Sequence, residues 1–412
     1  MEWVAAPVPE SAAGLERDGV APWLAALLLA VFAACKIAAR PILPNRLREG
    51  YGFQAVHVER AREMGCRLIV TADCGSSSVA AVEAAQAVGI GVLVTDHHLP
   101  SCALPAGALH INPRQEGCTY PFRDLAAVGL AFKLALALTR RCGKDVDPEP
   151  LLRIACLGTI ADLVPLQGEN RVIAALGLKA LAAAKSQGLK ALILQSGMKP
   201  PFTAADVGFR LGPRINAAGR LHEPERALEL LMSRDAGRSA LLAAELDGWN
   251  RERQTAETRV VEEARQAFAE REANGGLPPI LVGWSPGWHK GVVGVAAGRL
   301  AKDFHRPVVL LAVDTAGSGL ATGSGRSVPG LELHGFLAGW KERMERFGGH
   351  AQAIGLSVAT DRLEELRAEW EAAGRAWPPE LLARRVEYEL HLEPSEVTPR
   401  LLAQLGALEP FG

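Results

Sequence analysis

RLIVTADCGSSSVAAVEAAQAVGIGVLVTDHH, residues 67–98, decides the fold. Leu68-Ile69-Val70-Thr71-Ala72-Asp73 is an apolar, β-branched run that reads as a buried strand over 67–73. Ser78 to Val88 is Ala-rich and reads as a helix, with Ser76 or Ser77 placed to cap it. Gly89 ends that helix, and residues 90–95 form the next strand. Strand, helix and strand in so short a span make a βαβ unit and imply a parallel, twisted sheet. Each strand releases polar residues as it stops: Asp73 after the first, Asp96-His97-His98 after the second. In open α/β sheets the C-terminal edge of the strands is where ligands and chemistry collect.

Outward from this core, Leu125 to Cys142 reads as a helix, and Leu151 to Thr159 as another running into Ile160-Ala161-Asp162. Residues 172–197 are Ala/Leu-rich and helical, which completes an α/β domain over 1–200. Pro200-Pro201 opens a polar, Arg-bearing segment that contains Gly212-Pro213-Arg214-Ile215-Asn216-Ala217-Ala218-Gly219-Arg220, read as turn-like. Glu225 to Glu272 is rich in Ala, Leu, Glu and Arg and reads as one or two long helices joining two domains, so 201–275 is a connecting segment. A second, smaller α/β domain follows over 276–378. Its strands are expected at 279–284, 307–313 and 353–358, its helices at 292–302 and 331–346, and its Gly-rich turns at 321–327 and 347–350. Val386 to Leu392 alternates and reads as a strand opening a further module over 379–412.

The composition fits this division. The 412 residues, 49% hydrophobic and 22% charged, describe a soluble globular chain of two or three domains. A net charge of −1 provides no global basic field, so any nucleic-acid surface is a local patch. Seven cysteines, an odd count with no C-x-x-C pair, all lie between Cys35 and Cys156. They argue for reduced thiols and a cytoplasmic location, against a disulfide framework or a zinc ribbon. Trp23 to Cys35 is nearly all apolar but shorter than the roughly 20 residues a membrane span needs. Glu16, Arg17 and Asp18 precede it, unlike a basic leader, so it reads as a buried helix and no membrane partner is expected.

Asp73 and His97 end neighbouring strands, and their side chains can meet at the sheet edge; Asp162 can join them. Carboxylate oxygens with one imidazole suit Mn²⁺ or Mg²⁺ better than a thiophilic ion. A carboxylate shared between two such ions is what two-metal phosphoryl transfer requires. An aspartate after a strand can also simply cap the next helix, but a His-His pair there has no such structural use. Arg214 and Arg220 offer fork-shaped phosphate donors or, equally, surface salt bridges. Gly323-Ser324-Gly325-Arg326-Ser327 combines close backbone approach, hydroxyls and a guanidinium, which suits a phosphate, though Gly/Ser loops are commonly only loops. His289 and His350 are candidates for the same surface, with a buried structural histidine as the alternative.

The set resembles the DHH/DHHA1 phosphoesterase superfamily, and within it the RecJ-like single-strand-specific 5′→3′ exonucleases. The segments that carry the resemblance are PNRLREGYG (44–52), VTADCGSSS (70–78), VTDHHLP (94–100), GTIADLVPL (158–166), GPRINAAGRL (212–221), GWHKGVVG (287–294), GSGRS (323–327) and FGGHAQAIGLS (347–357), in the family's order. The resemblance implies an N-terminal DHH domain, a long connecting helix, a DHHA1 domain and the start of an OB-like module. It also implies Mn²⁺- or Mg²⁺-dependent hydrolysis of single-stranded DNA to 5′-mononucleotides in repair and recombination. A single-strand-binding protein or a helicase would be a further partner. By that likeness Asp73 bridges two metals, His97 and Asp162 complete one shell, His98 touches the scissile phosphate and Asp96 supports the site. Arg214, Asn216, Arg220, His289, Ser324, Arg326 and His350 would bind substrate, chiefly through its phosphates.

Two departures qualify this. The family's first motif resembles H-G-D-x-D-x-D-G, and counting back from PNR it falls on Ala12-Ala13-Gly14-Leu15-Glu16-Arg17-Asp18-Gly19. Asp18 is in register, Glu16 replaces an aspartate, and Ala12 and Gly14 replace a His and an Asp. Pro7 and Pro9 make a poor lead into a central strand. The likeness therefore implies one metal position with Asp18, Asp73, His97 and Asp162, and a weak second one with Asp73 and Glu16. The chain also stops at Pro410-Phe411-Gly412, where the family continues, so both ends read as clipped. A non-catalytic single-strand-binding or scaffold protein, and a phosphodiesterase of short oligonucleotides, are the alternative readings.

Overall fold

A computed structural model describes residues 12–16, 21–44, 49, 52–100, 103–384, 388 and 391–411, with the backbone alone for 12–16 and 21. The chain divides into two compact units, Met1–Asn250 with Pro394–Gly412, and Arg251–Glu393.

The first unit is built on five parallel strands in the order β2-β1-β3-β4-β5. They are β1 (Ala12–Glu16), β2 (Ala39–Pro41), β3 (Leu68–Ala72), β4 (Gly91–Thr95) and β5 (Leu109–Ile111). Despite the prolines upstream, the strand at 12–16 forms and lies inside the sheet. Glu16, Ala72 and Thr95 share one rung, so β1, β3 and β4 end level with one another. The Asp73 N–H donates to Thr95 O (2.9 Å) and the Asp96 N–H to Ile111 O (3.1 Å), which carries the ladder one step past the strand ends.

The remaining elements named below are α1 (Ala21–Ala34), α2 (Ala55–Glu63), α3 (Val79–Ala87), α4 (Ala127–Arg141), α5 (Glu149–Ala161), α6 (Gly168–Leu181) and α7 (Gln187–Ser196). Helix α3 closes the βαβ unit by burying Ala81, Val82 and Ala85. The apolar segment at 23–35 is indeed a buried helix, α1: Trp23, Leu24 and Leu27 are wholly inaccessible and share one core with α4, α5 and α6. A helix apolar on every face is stable only when covered on every face. No helix among the described residues is long and apolar enough to cross a membrane.

One expectation needs correction in this unit, and two are sharpened. The helical stretch 172–197 is divided in two: α6 ends at Leu181 and α7 starts after Ser186, whose Oγ accepts the Leu189 N–H (3.4 Å). The segment read as turn-like is helical. A π-helical turn, Val207–Leu211, runs straight into α8 (Gly212–Leu221). Pro213 is tolerated because it stands in the first turn, and Ile215, Ala217 and Ala218 provide a buried face. Of the one or two helices expected from 225 to 272, two form, α9 (Glu225–Met232) and the 40-residue α10 (Ala236–Gly275), parted at Ser233-Arg234-Asp235. Asp235 Oδ1 accepts the Arg238 N–H (2.6 Å) there, starting the new helix. Helix α10 begins in the first unit and ends in the second.

The second unit is a mixed sheet in the order β6-β7-β8-β10-β9. Its strands are β6 (Leu281–Ser285), β7 (Val308–Val313), β8 (Leu320–Arg326), β9 (Arg346–His350) and β10 (Ala353–Ala359), with α11 (Val293–Phe304) between β6 and β7. Only β6 and β7 run parallel. The two Gly-rich stretches expected as turns, 321–327 and 347–350, are strands β8 and β9. Their glycines serve close packing: a Cβ on Gly323 would lie 2.0 Å from Leu310 O on β7. The helix expected over 331–346 is short, Leu333–Ala338, followed by a single 3₁₀ turn, because Gly335 and Gly339 weaken it. The strand expected at 386–392 falls largely outside the described residues. Among those described, 391–411 hold a 3₁₀ turn and a helix, Pro399–Gly406, and no strand of an OB-like module.

Candidate metal centre

Every acidic or imidazole group of the cluster is placed by an element end. Asp73 follows β3 in a left-handed backbone conformation, φ +65°, which aspartate tolerates better than most side chains. Gly75 follows with φ +113°; a Cβ there would meet Thr71 Oγ1 at 2.9 Å, so the loop folds tightly back on its own strand. Asp162 terminates α5, and Leu163 at φ +57° turns the chain away.

The result is a compact constellation at the C-terminal edge of the sheet. His97 Nε2 lies 3.1 Å from Asp73 Oδ1 and 3.4 Å from Asp162 Oδ2. His98 Nδ1 lies 3.8 Å from Asp73 Oδ1. Asp73 and His97 are buried, while the His98 side chain is 38% exposed. Asp96 faces its own loop. Its Oδ1 accepts the N–H groups of His97 (2.8 Å) and His98 (3.1 Å) and pairs with His98 Nδ1 (2.7 Å), and its Oδ2 accepts the Ser76 N–H (3.1 Å). Burial alone would raise the Asp96 carboxyl, but the His98 ring and these N–H donors hold it well below the usual carboxylate range.

The donor set fits a hard divalent cation. Asp73 Oδ1, Asp162 Oδ2 and both ring nitrogens of His97 are buried without a hydrogen-bond partner. Orphaned polar atoms of this kind are costly in a folded protein unless something else binds them. The electrostatics agree. Burial pushes Asp162 up to about 6, reinforced by the Asp73 charge, with His97, His98 and Arg114 opposing. Burial would lower His97, yet Asp73, Asp162 and Asp96 outweigh it and raise it to about 9. The pocket thus attracts positive charge to the spot where its carboxylates converge. Asp73, His97 and His98 can each present a ligand atom within 4.8 Å of the others.

The remaining candidates fall in three places. Glu16 closes β1 beside Ala72 on the site-facing rung, its side chain outside the description, and Asp18 lies outside the described residues. Arg214, Asn216 and Arg220 lie on α8, whose first residue packs against the end of α5: a Cβ on Gly212 would be 3.5 Å from Ala161 Cβ, next to Asp162. Arg214 is already paired with Asp247 (2.8 Å) and donates to Arg210 O (2.7 Å). His289, Ser324, Arg326 and His350 belong to the second unit. There, Arg326 and His350 occupy one rung on either side of Ala353. Arg326 Nη1 donates to Ser324 Oγ (2.6 Å), and a Cβ on Gly294 at the start of α11 would lie 3.2 Å from both residues. The sequence reading missed Asn112 and Arg114 just past β5, and Ser76 as a donor to Asp96. Asn112-Pro113-Arg114, a polar exit from a third strand, was the available signal.

A parallel sheet that gathers aspartates and histidines at its strand ends, followed by a mixed-sheet unit, defines a protein of the DHH type. The sequence pattern of the DHH family N-terminal domain matches residues 18–159, and that of the DHHA1 domain residues 277–374. The single-stranded-DNA-specific exonuclease RecJ of Escherichia coli is 38% identical over 390 residues, covering 90% of this chain and 67% of that protein. RecJ of Bacillus subtilis is 38% identical over 372 residues, covering 90% of this chain and 46% of the relative. A crystal structure of Thermus thermophilus RecJ in complex with Mn²⁺ superposes with a TM-score of 0.83 at 30% identity, over 98% of this chain and 58% of that one. A structure of exonuclease RecJ bound to manganese gives 0.78 at 32% identity, over 90% and 91%. The chain belongs to the RecJ family. It spans about half to two thirds of the length of these curated relatives.

Proposed function

We propose that this chain is a divalent-metal-dependent exonuclease that hydrolyses single-stranded DNA from its 5′ end to 5′-mononucleotides, in DNA repair and recombination. One observation carries the reading: Asp73, His97 and Asp162 hold buried, unbonded ligand atoms together at the sheet edge of a RecJ-family fold. These residues, with Asp18 and more weakly Glu16, would hold Mn²⁺ or Mg²⁺, one position well furnished and the second poor. When bound there, such an ion would supply an activated water and neutralise charge developing at the scissile phosphodiester.

The chain's own groups do the rest. The Asp96 carboxylate fixes His98 with its Nδ1–H inward, which turns Nε2 outward toward a scissile phosphate. Arg214, Asn216, Arg220, His289, Ser324, Arg326 and His350 are the proposed phosphate and strand contacts. The domain division proposed is 1–200, 201–275, 276–378 and 379–412. Cytoplasmic location, and delivery of single strands by a helicase or single-strand-binding protein, belong to the same reading. The test is digestion of 5′-labelled single-stranded DNA with Mn²⁺ by the purified chain and by Asp73→Ala. Nucleotide release by the first alone supports the proposal, and equal activity in both overturns it.

A further inference from the structure

A third strand end feeds the same sheet edge and has no part in the mechanism above. We propose that Arg114 is a further substrate-binding residue, placing its guanidinium on a backbone phosphate beside the Asp73–His97–Asp162 cluster. The proposal rests on the exonuclease reading and adds a contact to that site.

Asn112 lies one residue past β5 and is buried at 2% exposure. Its Nδ2 donates both to His98 O (2.9 Å) and to Ser76 Oγ (2.9 Å), and its Oδ1 accepts the Arg114 N–H (2.8 Å). One side chain therefore ties together the loops that leave β3, β4 and β5. The guanidinium is fixed from the other side. Its Nη2 donates to Asp124 Oδ1 (2.6 Å) and its Nε to Arg123 O (3.4 Å). Nη1 makes no hydrogen bond to a described residue, and the side chain is 34% exposed.

An arginine held along one edge and open on the other is preorganised to receive an anion. A surface pair such as Arg114–Asp124 contributes little by itself and does not call for a buried Asn to set its backbone. A phosphate approaching Asp73, Asp96 and Asp162 meets three carboxylates, and a guanidinium at their border offsets that repulsion.

The experiment compares wild type, Arg114→Gln and Arg114→Lys. Binding of a 5′-phosphorylated single strand is read by fluorescence anisotropy in chelator across a KCl series, and Mn²⁺ binding by calorimetry. Arg114→Gln should bind about tenfold more weakly. Its log–log salt slope should be shallower by about 0.7, the share of one phosphate on a single strand. Its Mn²⁺ stoichiometry should match wild type. Arg114→Lys should restore the slope while remaining weaker than wild type, and it carries the test if the Gln variant does not fold. Wild-type affinity and slope in both variants, or loss of Mn²⁺ from Arg114→Gln, overturns the proposal. If wild type degrades single strands and the variants bind as it does, this inference alone falls. If wild type neither binds nor degrades them, the exonuclease reading falls with it.

Discussion

Asp73 is asked to do two things at once: occupy a left-handed backbone conformation and leave one carboxylate oxygen unspent. Substitution separates them. Asn also tolerates positive φ, so Asp73→Asn should fold normally and lose the proposed metal-dependent hydrolysis by more than about a hundredfold, beyond what removal of a supporting residue costs. Asp73→Ala should lose the same activity and about 1 kcal/mol of stability besides. Parallel melting curves and rate assays check both. At this scale the meeting of Asp73, His97 and Asp162 was legible because Asp73 and His97 each follow an unmistakable apolar strand, and Asp162 an apolar helix. Asn112 and Arg114 were hidden because β5 is three residues, an exposed Leu109 and the partly buried His110 and Ile111, with no apolar run to mark it.

Helix α2 shows how an element can take its pH dependence from one side chain. His57 is wholly buried; its Nδ1 accepts the Gln54 N–H (3.0 Å), so its proton sits on Nε2, 3.1 Å from Glu49 Oε2. Burial lowers the His57 pKa, with Glu49 opposing. The folded value then lies below the unfolded value of about 6.5. The contribution to stability is complete above about pH 6.5 and is lost as pH falls through the folded value. Urea unfolding at several pH values should show this loss, and His57→Gln should flatten it. Among the strands, Gly323→Ala should destabilise the second unit by about 3 kcal/mol, since the added methyl has only backbone to push against. Denaturant titration reads the shift. These glycines explain why β8 and β9 were read as turns: composition marks Gly as a chain breaker, whereas here it marks where two backbones touch. The helical GPRINAAGR segment was misread for the related reason that a proline and two glycines mask a buried Ile-Ala-Ala face.

For the whole molecule, a cation bound only by the folded cluster must stabilise the fold. Mn²⁺ at a hundred times its dissociation constant should add about 2.7 kcal/mol, seen as a higher melting temperature than in chelator. The shift should vanish in Asp73→Asn. The two α/β units were legible from the order of apolar runs along the chain; the place where the connecting stretch splits, at Ser233, was not, because one capping aspartate decided it. The shared rung of Glu16, Ala72 and Thr95 has one more consequence. Because side chains alternate along a strand, losing one residue from within β3 would turn Asp73 to the opposite face of the sheet. Losing two would keep the face but withdraw the carboxylate by about 6.6 Å, beyond any shared ion. Homologues that keep this chemistry should therefore vary in length within the crossover segments, while the spacing from strand to ligand stays constant to the residue.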